Sequence, residues 1–144
     1  MATLLVVDDD NMIREALHDL FLNTHECHTA DRAEQALAFL ELESYDAVLT
    51  DLDMPGLSGR ELLHQIKQTH PTTPVIVISG ICGEEEARTL IEMGAFAYFS
   101  KPFKLEEIEA AVNKAVAHHQ KLSKAHESEV QDEAETAPSG NSPE

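Results

Sequence analysis

The stretch VVDDDNMIRE, residues 6–15, places three consecutive carboxylates directly after an apolar run. Such a run is typical of a buried strand, and the sudden charge marks the end of that strand. Two carboxylates about 4 Å apart repel each other by roughly 4 kcal/mol at an effective dielectric near 20. We therefore expect something positive beside Asp8, Asp9 and Asp10.

The same kind of apolar run returns along the chain and sets the fold. The runs begin near residues 3, 25, 47, 75 and 97, which are 22, 22, 28 and 22 residues apart. The segments between them have apolar residues at helical spacing. Alternating strands and helices predict an α/β fold, with a parallel sheet covered by helices on both faces. The second run, HECHTA, is more polar than the others and predicts an edge strand.

Two helix starts carry a local signal as well. Asp31 is followed by Glu34, and Ser58 is followed by Glu61. Both pairs have the spacing of a capping box, so we expect helices to begin there. Asp10 is also interpreted as a helix cap rather than as a metal ligand, because Asp is favoured at that position and its charge suits the helix dipole.

Composition excludes several classes of function. The 144 residues carry a net charge of −17, which argues against binding nucleic acid or an anionic membrane. No apolar stretch approaches the ~20 residues that span a bilayer, and the N-terminus lacks the pattern of a signal peptide, so we expect a cytoplasmic protein. Cys27 and Cys82 are too few for a disulfide framework or a zinc site, and we expect both to stay reduced.

The C-terminal segment differs from the rest of the chain. Residues 127–144 hold six acidic residues and no Lys or Arg, with Val130 as the one large aliphatic. Such a segment cannot bury enough surface to offset its chain entropy. We therefore predict one folded domain over residues 1–124 and a disordered acidic tail over 125–144, with no second, output domain on this chain.

Polar residues follow four of the predicted strands. Asp8 and Asp9 follow the first, Asp51 the third, Ser79 the fourth and Lys101 the fifth. Because the carboxyl ends of parallel strands meet at one edge of the sheet, these side chains are expected to share a crevice. Three carboxylates and one Lys leave an excess of negative charge that a divalent cation would neutralise, and carboxylate oxygens suit Mg²⁺.

Four motifs, taken together and in order, resemble the receiver domain of two-component response regulators. They are VVDDDNMIR, LTDLDMPGLSG, VIVISG and YFSKPF, and the resemblance covers roughly residues 1–124. It implies a flavodoxin-like, doubly wound sheet of five parallel strands in the order 2-1-3-4-5. It also implies that a histidine kinase or a histidine phosphotransfer protein passes a phosphoryl group from a phosphohistidine to Asp51.

The resemblance implies a role for each residue of the site. Asp51 is the phosphoryl acceptor. Mg²⁺ is held by Asp8, Asp9 and Asp51 together with the backbone carbonyl of Asp53. Ser79 and Lys101 contact the phosphoryl oxygens, and the Lys101–Pro102 bond is cis.

Further implied roles concern signalling. Tyr98 is the aromatic switch that turns inward as Ser79 moves toward the phosphate. Asp53 and Ile81 flank the path of the water that hydrolyses the acyl phosphate. Phosphorylation would then alter a face made by the fourth helix, fifth strand and fifth helix, where a downstream protein target binds. The domain would be a signalling domain that catalyses only its own phosphorylation and dephosphorylation.

Two other functions compete with this interpretation. The DLDMP motif at residues 51–55 also resembles the Asp-x-Asp of haloacid-dehalogenase-type phosphatases, but in that class the motif normally follows the first strand. A binding module that acts without phosphorylation is the second alternative, and the intact set of site residues speaks against it. A Rossmann dehydrogenase is not supported, because no GxGxxG motif follows the first strand.

Overall fold

The computed structural model describes residues 2–80 and 83–136, with side chains described as far as Leu122. Five strands alternate with five helices, as the sequence predicts. The elements are β1 (Thr3–Val7), α1 (Asn11–Phe21), β2 (Glu26–Ala30), α2 (Ala33–Leu42), β3 (Ala47–Asp51), α3 (Gly59–Thr69), β4 (Val75–Ser79), α4 (Glu84–Glu92), β5 (Ala97–Ser100) and α5 (Leu105–Thr136).

The strands form one parallel sheet in the order β2-β1-β3-β4-β5, which confirms the predicted flavodoxin-like topology. The polar strand β2 lies at an edge, also as predicted. From β1 the chain first adds β2 on one side of the sheet and then adds β3, β4 and β5 on the other side. The switch point therefore lies between β1 and β3, where Val7 pairs with Thr50. The next residues, Asp8 and Asp51, are thereby brought side by side at this switch point, where sheets of this type bind their ligands.

Each face of the sheet is covered by its own set of helices. Along β1, Leu4 and Val6 belong to one buried cluster while Leu5 and Val7 belong to another, because successive strand side chains point to opposite faces. The first cluster contains residues of α1 and α5, and the second contains residues of α2, α3 and α4. Every residue of β3 and β4 is buried, which accounts for the apolar character of these central strands.

Helix caps test the local signals in the sequence. The Asp10 carboxylate accepts a hydrogen bond from the Met12 N–H at the start of α1, and Ser58 Oγ accepts one from the Glu61 N–H at the start of α3, so both predicted caps are confirmed. The predicted cap at Asp31 is wrong. Helix α2 begins at Ala33 with Arg32 before it, one residue too late for the Asp31 side chain to cap it.

The last helix is longer than the sequence interpretation allowed. Helix α5 continues to Thr136, and residues 137–144 lie outside the described part of the chain. The disordered acidic tail over residues 125–144 stays a prediction. The sequence argument for the tail considered only apolar burial, whereas residues 125–136 include four Glu and two Ala, which favour helix locally. The domain boundary at residue 124 stays a prediction. Within the described residues, no helix combines the length and apolarity needed to cross a membrane.

Candidate functional site

Three carboxylates meet at the carboxyl edge of the sheet. Asp8 and Asp51 are 2% and 6% exposed, and Asp9 is exposed to solvent. One oxygen from each of the three can be chosen so that all lie within 4.8 Å of one another. The sequence prediction that these residues converge is therefore confirmed.

Lys101 supplies the positive charge that the acidic run requires. Its Nζ lies 3.2 Å from Asp8 Oδ2 and 3.5 Å from Asp51 Oδ1, so the ammonium bridges the two buried carboxylates. Its backbone N–H donates to the carbonyl of Ser79 at 2.8 Å, which extends the β4–β5 pairing by one residue. The Lys101–Pro102 peptide bond is cis, as the resemblance implies.

Burial and charge shift the acidity of the site. The pKa of Asp51 is raised from 3.8 to about 6, first by burial and then by the neighbouring Asp8 charge, while Lys101 opposes both. Burial also raises the pKa of Asp8, against the hydrogen bond from the Asp10 N–H and the Lys101 charge. Burial alone would lower the pKa of Lys101, but the attraction of Asp8 and Asp51 outweighs it and raises that pKa. The pair thus holds its negative charge at a free-energy cost.

The remaining predicted site residues are placed as follows. Ser79 is fully buried at the end of β4, next to the strand that carries Asp51. Tyr98 is half-buried in β5 and packs against the core cluster on the α2–α4 face. The backbone N–H of Asp53 hydrogen-bonds the Asp51 carboxylate and lowers its pKa, while the Asp53 side chain is exposed. Ile81 lies outside the described residues.

Two residues that touch the site were missed by the sequence interpretation. A Cβ added to Gly59 would lie 2.0 Å from the carbonyl oxygen of Asp51, so only Gly lets the first turn of α3 pack against the acceptor's backbone. Arg14 Nη1 donates a 2.6 Å hydrogen bond to the carbonyl of Asp8. Both residues stand out in the sequence: Gly59 follows the Ser58 cap, and Arg14 is the one Arg of α1. Neither pattern, however, specifies a contact with a strand end.

The donor set suits a hard divalent cation. Three carboxylate oxygens close together are the ligands that Mg²⁺ takes in proteins, and Lys101 neutralises just one of the three charges. Asp9 is the exposed member of the set. A Mg²⁺ ion bound there could keep several of its waters and exchange with solvent. The acidic cluster can therefore hold a metal ion.

The fold and this cluster define the class of protein: a flavodoxin-like α/β domain with a carboxylate–lysine site at the switch point of its sheet. Residues 4–113 match the model of the response regulator receiver domain. The chain belongs to this family. The match confirms the sequence-based identification and does not favour the phosphatase alternative.

Particular relatives support the same conclusion. The chain is 37% identical over 126 residues to the DNA-binding transcriptional regulator NtrC of Salmonella typhimurium, covering 87% of this chain and 27% of that protein. A receiver domain structure from Clostridium thermocellum has a TM-score of 0.79 at 31% identity, covering 85% of this chain and 99% of that one. The NtrX structure from Brucella abortus has a TM-score of 0.80 at 33% identity, covering 87% of this chain and 29% of that one. The chain thus spans about a quarter of the length of the NtrC proteins that it matches.

Proposed function

We propose that Asp51 accepts a phosphoryl group from the phosphohistidine of a histidine kinase or a histidine phosphotransfer protein, and that the phosphorylated domain signals by binding another protein. The observation that carries the proposal is Lys101, whose ammonium joins the buried Asp8 and Asp51. Fixing a Lys side chain at this point costs free energy unless negatively charged groups lie beside it. The proposed location is the cytoplasm, because the donor kinase takes its phosphoryl group from ATP.

The transfer step uses the Asp51 carboxylate as nucleophile. One of its oxygens attacks the phosphorus, the P–N bond to the imidazole breaks, and the leaving nitrogen keeps that electron pair and takes up a proton from solvent. Asp51 is mostly ionised above its pKa of about 6, so it is available for attack at neutral pH. Lys101 is held where it can pair with an oxygen of the transferred group.

Mg²⁺ is the proposed cofactor, held by Asp8, Asp9 and Asp51 with the backbone carbonyl of Asp53. When bound, such an ion would neutralise charge on the phosphoryl oxygens. The buried Asp8 is fixed from two sides by the Asp10 N–H and Lys101, so one carboxylate of the set is already ordered. The domain catalyses only its own phosphorylation and dephosphorylation.

Ser79 and Tyr98 are proposed to convert phosphorylation into a change of surface. Ser79 would donate its hydroxyl to the phosphoryl group, and Tyr98 would turn inward as Ser79 moves. Tyr98 already lines a groove of about 720 Å³ between β5 and the first turns of α5. The face formed by α4, β5 and α5 is therefore the proposed binding surface for a downstream protein.

Asp53 and Ile81 are proposed to set the lifetime of the acyl phosphate. Asp53 is exposed two residues after the acceptor, where its charge would repel a hydroxide-like nucleophile beside a phosphate. Ile81 is apolar and cannot orient water. We expect the phosphorylated state to last on the order of minutes or longer, and Ile81→Glu to speed its decay about tenfold, which corresponds to about 1.4 kcal/mol of barrier.

The experiment is phosphorylation of the full chain with acetyl phosphate, followed by intact-mass measurement. The wild type should gain one phosphoryl group in Mg²⁺ and none in EDTA, and Asp51→Asn should gain none in either. Undiminished incorporation into Asp51→Asn would overturn the assignment. Steady release of phosphate from a generic monoester would instead support a phosphatase, while partner binding that is the same with and without phosphorylation would support the phosphorylation-independent module.

A further inference from the structure

The guanidinium of Arg14 joins α1 to the strand end that carries Asp8. Arg14 Nη1 donates to the Asp8 carbonyl at 2.6 Å, and Nη2 donates to Asn11 Oδ1 at 2.9 Å. The residue is half-buried. Two nitrogens of one planar, rigid fork therefore reach two different oxygens, which fixes the orientation of the group more firmly than a single contact would.

This contact completes a set of restraints on Asp8. The Asp8 N–H donates to the carbonyl of Ala30 at 3.1 Å. One carboxylate oxygen accepts from the Asp10 N–H at 2.9 Å, and the other from Lys101 at 3.2 Å. The carbonyl lies beyond the last pair of the β1–β3 ladder, and Arg14 is the partner that the structure gives it. A hydrogen bond from a charged donor is roughly twice as strong as a neutral one.

The charge and the hydrogen bonds of Arg14 act on a cation in opposite directions. As a positive charge near Asp8, Arg14 repels a divalent ion. As a hydrogen-bond donor to the Asp8 carbonyl, it supports the backbone of residues 8–10. In this arrangement one oxygen each of Asp8, Asp9 and Asp51 lie within 4.8 Å of one another. Groups that orient metal ligands in this way are typically worth 10–100-fold in metal affinity. The two effects can therefore be separated by the sign of a change in affinity.

We propose that Arg14 is a positioning residue for the cation site: it fixes the Asp8 peptide so that Asp8 and Asp9 present their carboxylates beside Asp51. The inference rests on the proposed function, because it assumes that these carboxylates bind Mg²⁺. Arg14 touches neither the phosphoryl group nor the reacting oxygen, and its effect passes through Asp8.

The test is a titration of the unphosphorylated full chain with Mg²⁺ alone, followed by amide NMR shifts, for wild type, Arg14→Gln and Arg14→Lys. We expect Arg14→Gln to bind Mg²⁺ about tenfold more weakly, although it removes a positive charge. Arg14→Lys keeps the charge but has no fork, so its affinity should fall between the other two. Arg88→Gln makes the same charge change at an exposed position on α4 and should match wild type.

Unchanged or tighter Mg²⁺ binding by Arg14→Gln would overturn the proposal, because it would mean that Arg14 acts only as a charge. If Arg14→Gln does not fold, Asn11→Ala replaces it: this change removes the second anchor of the guanidinium and should weaken Mg²⁺ binding two- to threefold, and unchanged affinity in both Asn11→Ala and Arg14→Lys would overturn the proposal. Failure of the proposed function is distinguishable. Wild type that binds Mg²⁺ but gains no phosphoryl group at Asp51 would refute that function alone.

Discussion

Replacing the buried acceptor by its neutral isostere should stabilise the metal-free protein. The pKa of Asp51 rises from 3.8 to about 6 on folding, so the folded state binds this proton more tightly than the unfolded state. At pH above 6 the carboxyl is charged in both states and the folded state bears the full cost. Two pKa units correspond to about 3 kcal/mol. We expect Asp51→Asn to raise the free energy of unfolding at pH 7.5 by up to that amount.

The stability difference between wild type and Asp51→Asn should depend on pH. As the pH falls from 7 toward 4, Asp51 becomes protonated in the folded wild type and its cost disappears, so the difference between wild type and Asp51→Asn should close. The assay is urea unfolding in EDTA, followed by circular dichroism at several pH values. Asp31→Asn, which changes an exposed carboxylate, should shift stability by no more than about 0.5 kcal/mol. An Asp51→Asn protein that is no more stable than wild type at pH 7.5 would refute the electrostatic reasoning.

Three further changes probe the site and its surroundings. Asp9→Ala should abolish the rise in melting temperature that Mg²⁺ gives the wild type, since it removes an exposed ligand; calorimetry with and without Mg²⁺ measures this. Gly59→Ala should cost about 1–3 kcal/mol in urea unfolding and slow phosphorylation, because its Cβ would lie 2.0 Å from the Asp51 carbonyl oxygen. Burial raises the pKa of Cys27 from 9.0 to about 11, so in a Cys82→Ser background its alkylation at pH 8 should be roughly 100-fold slower than that of an unperturbed thiol.

The first two changes have matched controls, and all three have a contrary outcome. Asp19→Ala removes an exposed carboxylate of α1 outside the cluster and should keep the Mg²⁺ response. An equal response in Asp9→Ala would place the metal at another site. Gly83→Ala adds a Cβ with no heavy atom within 4 Å, and a Gly59→Ala protein as stable as this control would show that α3 can shift without cost. Rapid alkylation of Cys27 at pH 8 would contradict its burial.

The fold followed from the sequence because several independent signals agreed. The apolar runs gave the strands to within a residue: β2 begins at Glu26 rather than near His25, and the other four begin where predicted. The convergence of Asp8, Asp51 and Lys101 followed from one rule, that the carboxyl ends of parallel strands meet at one edge. The caps at Asp10 and Ser58 were predictable because the side chain and its N–H partner are close in sequence.

The features that were missed depend on contacts or on competing local preferences. The cap expected at Asp31 failed because α2 starts at Ala33, and the spacing of a motif does not fix where a helix begins. The continuation of α5 to Thr136 was not predicted, because the sequence argument weighed the lack of an apolar face and left helix propensity out. Arg14 and Gly59 act on backbone carbonyls of strand ends, and such contacts leave no periodic signature in a single sequence.

The most direct measurement is the chemical location of the phosphoryl group. The full chain is phosphorylated with acetyl phosphate in Mg²⁺, treated with borohydride, which reduces an aspartyl phosphate to homoserine, and digested for peptide mass analysis. We predict homoserine at residue 51 alone, with none in Asp51→Asn or in EDTA. Homoserine at Asp8, Asp9 or any other aspartate, or phosphate that survives borohydride on another residue type, would contradict the assignment of Asp51 as the acceptor.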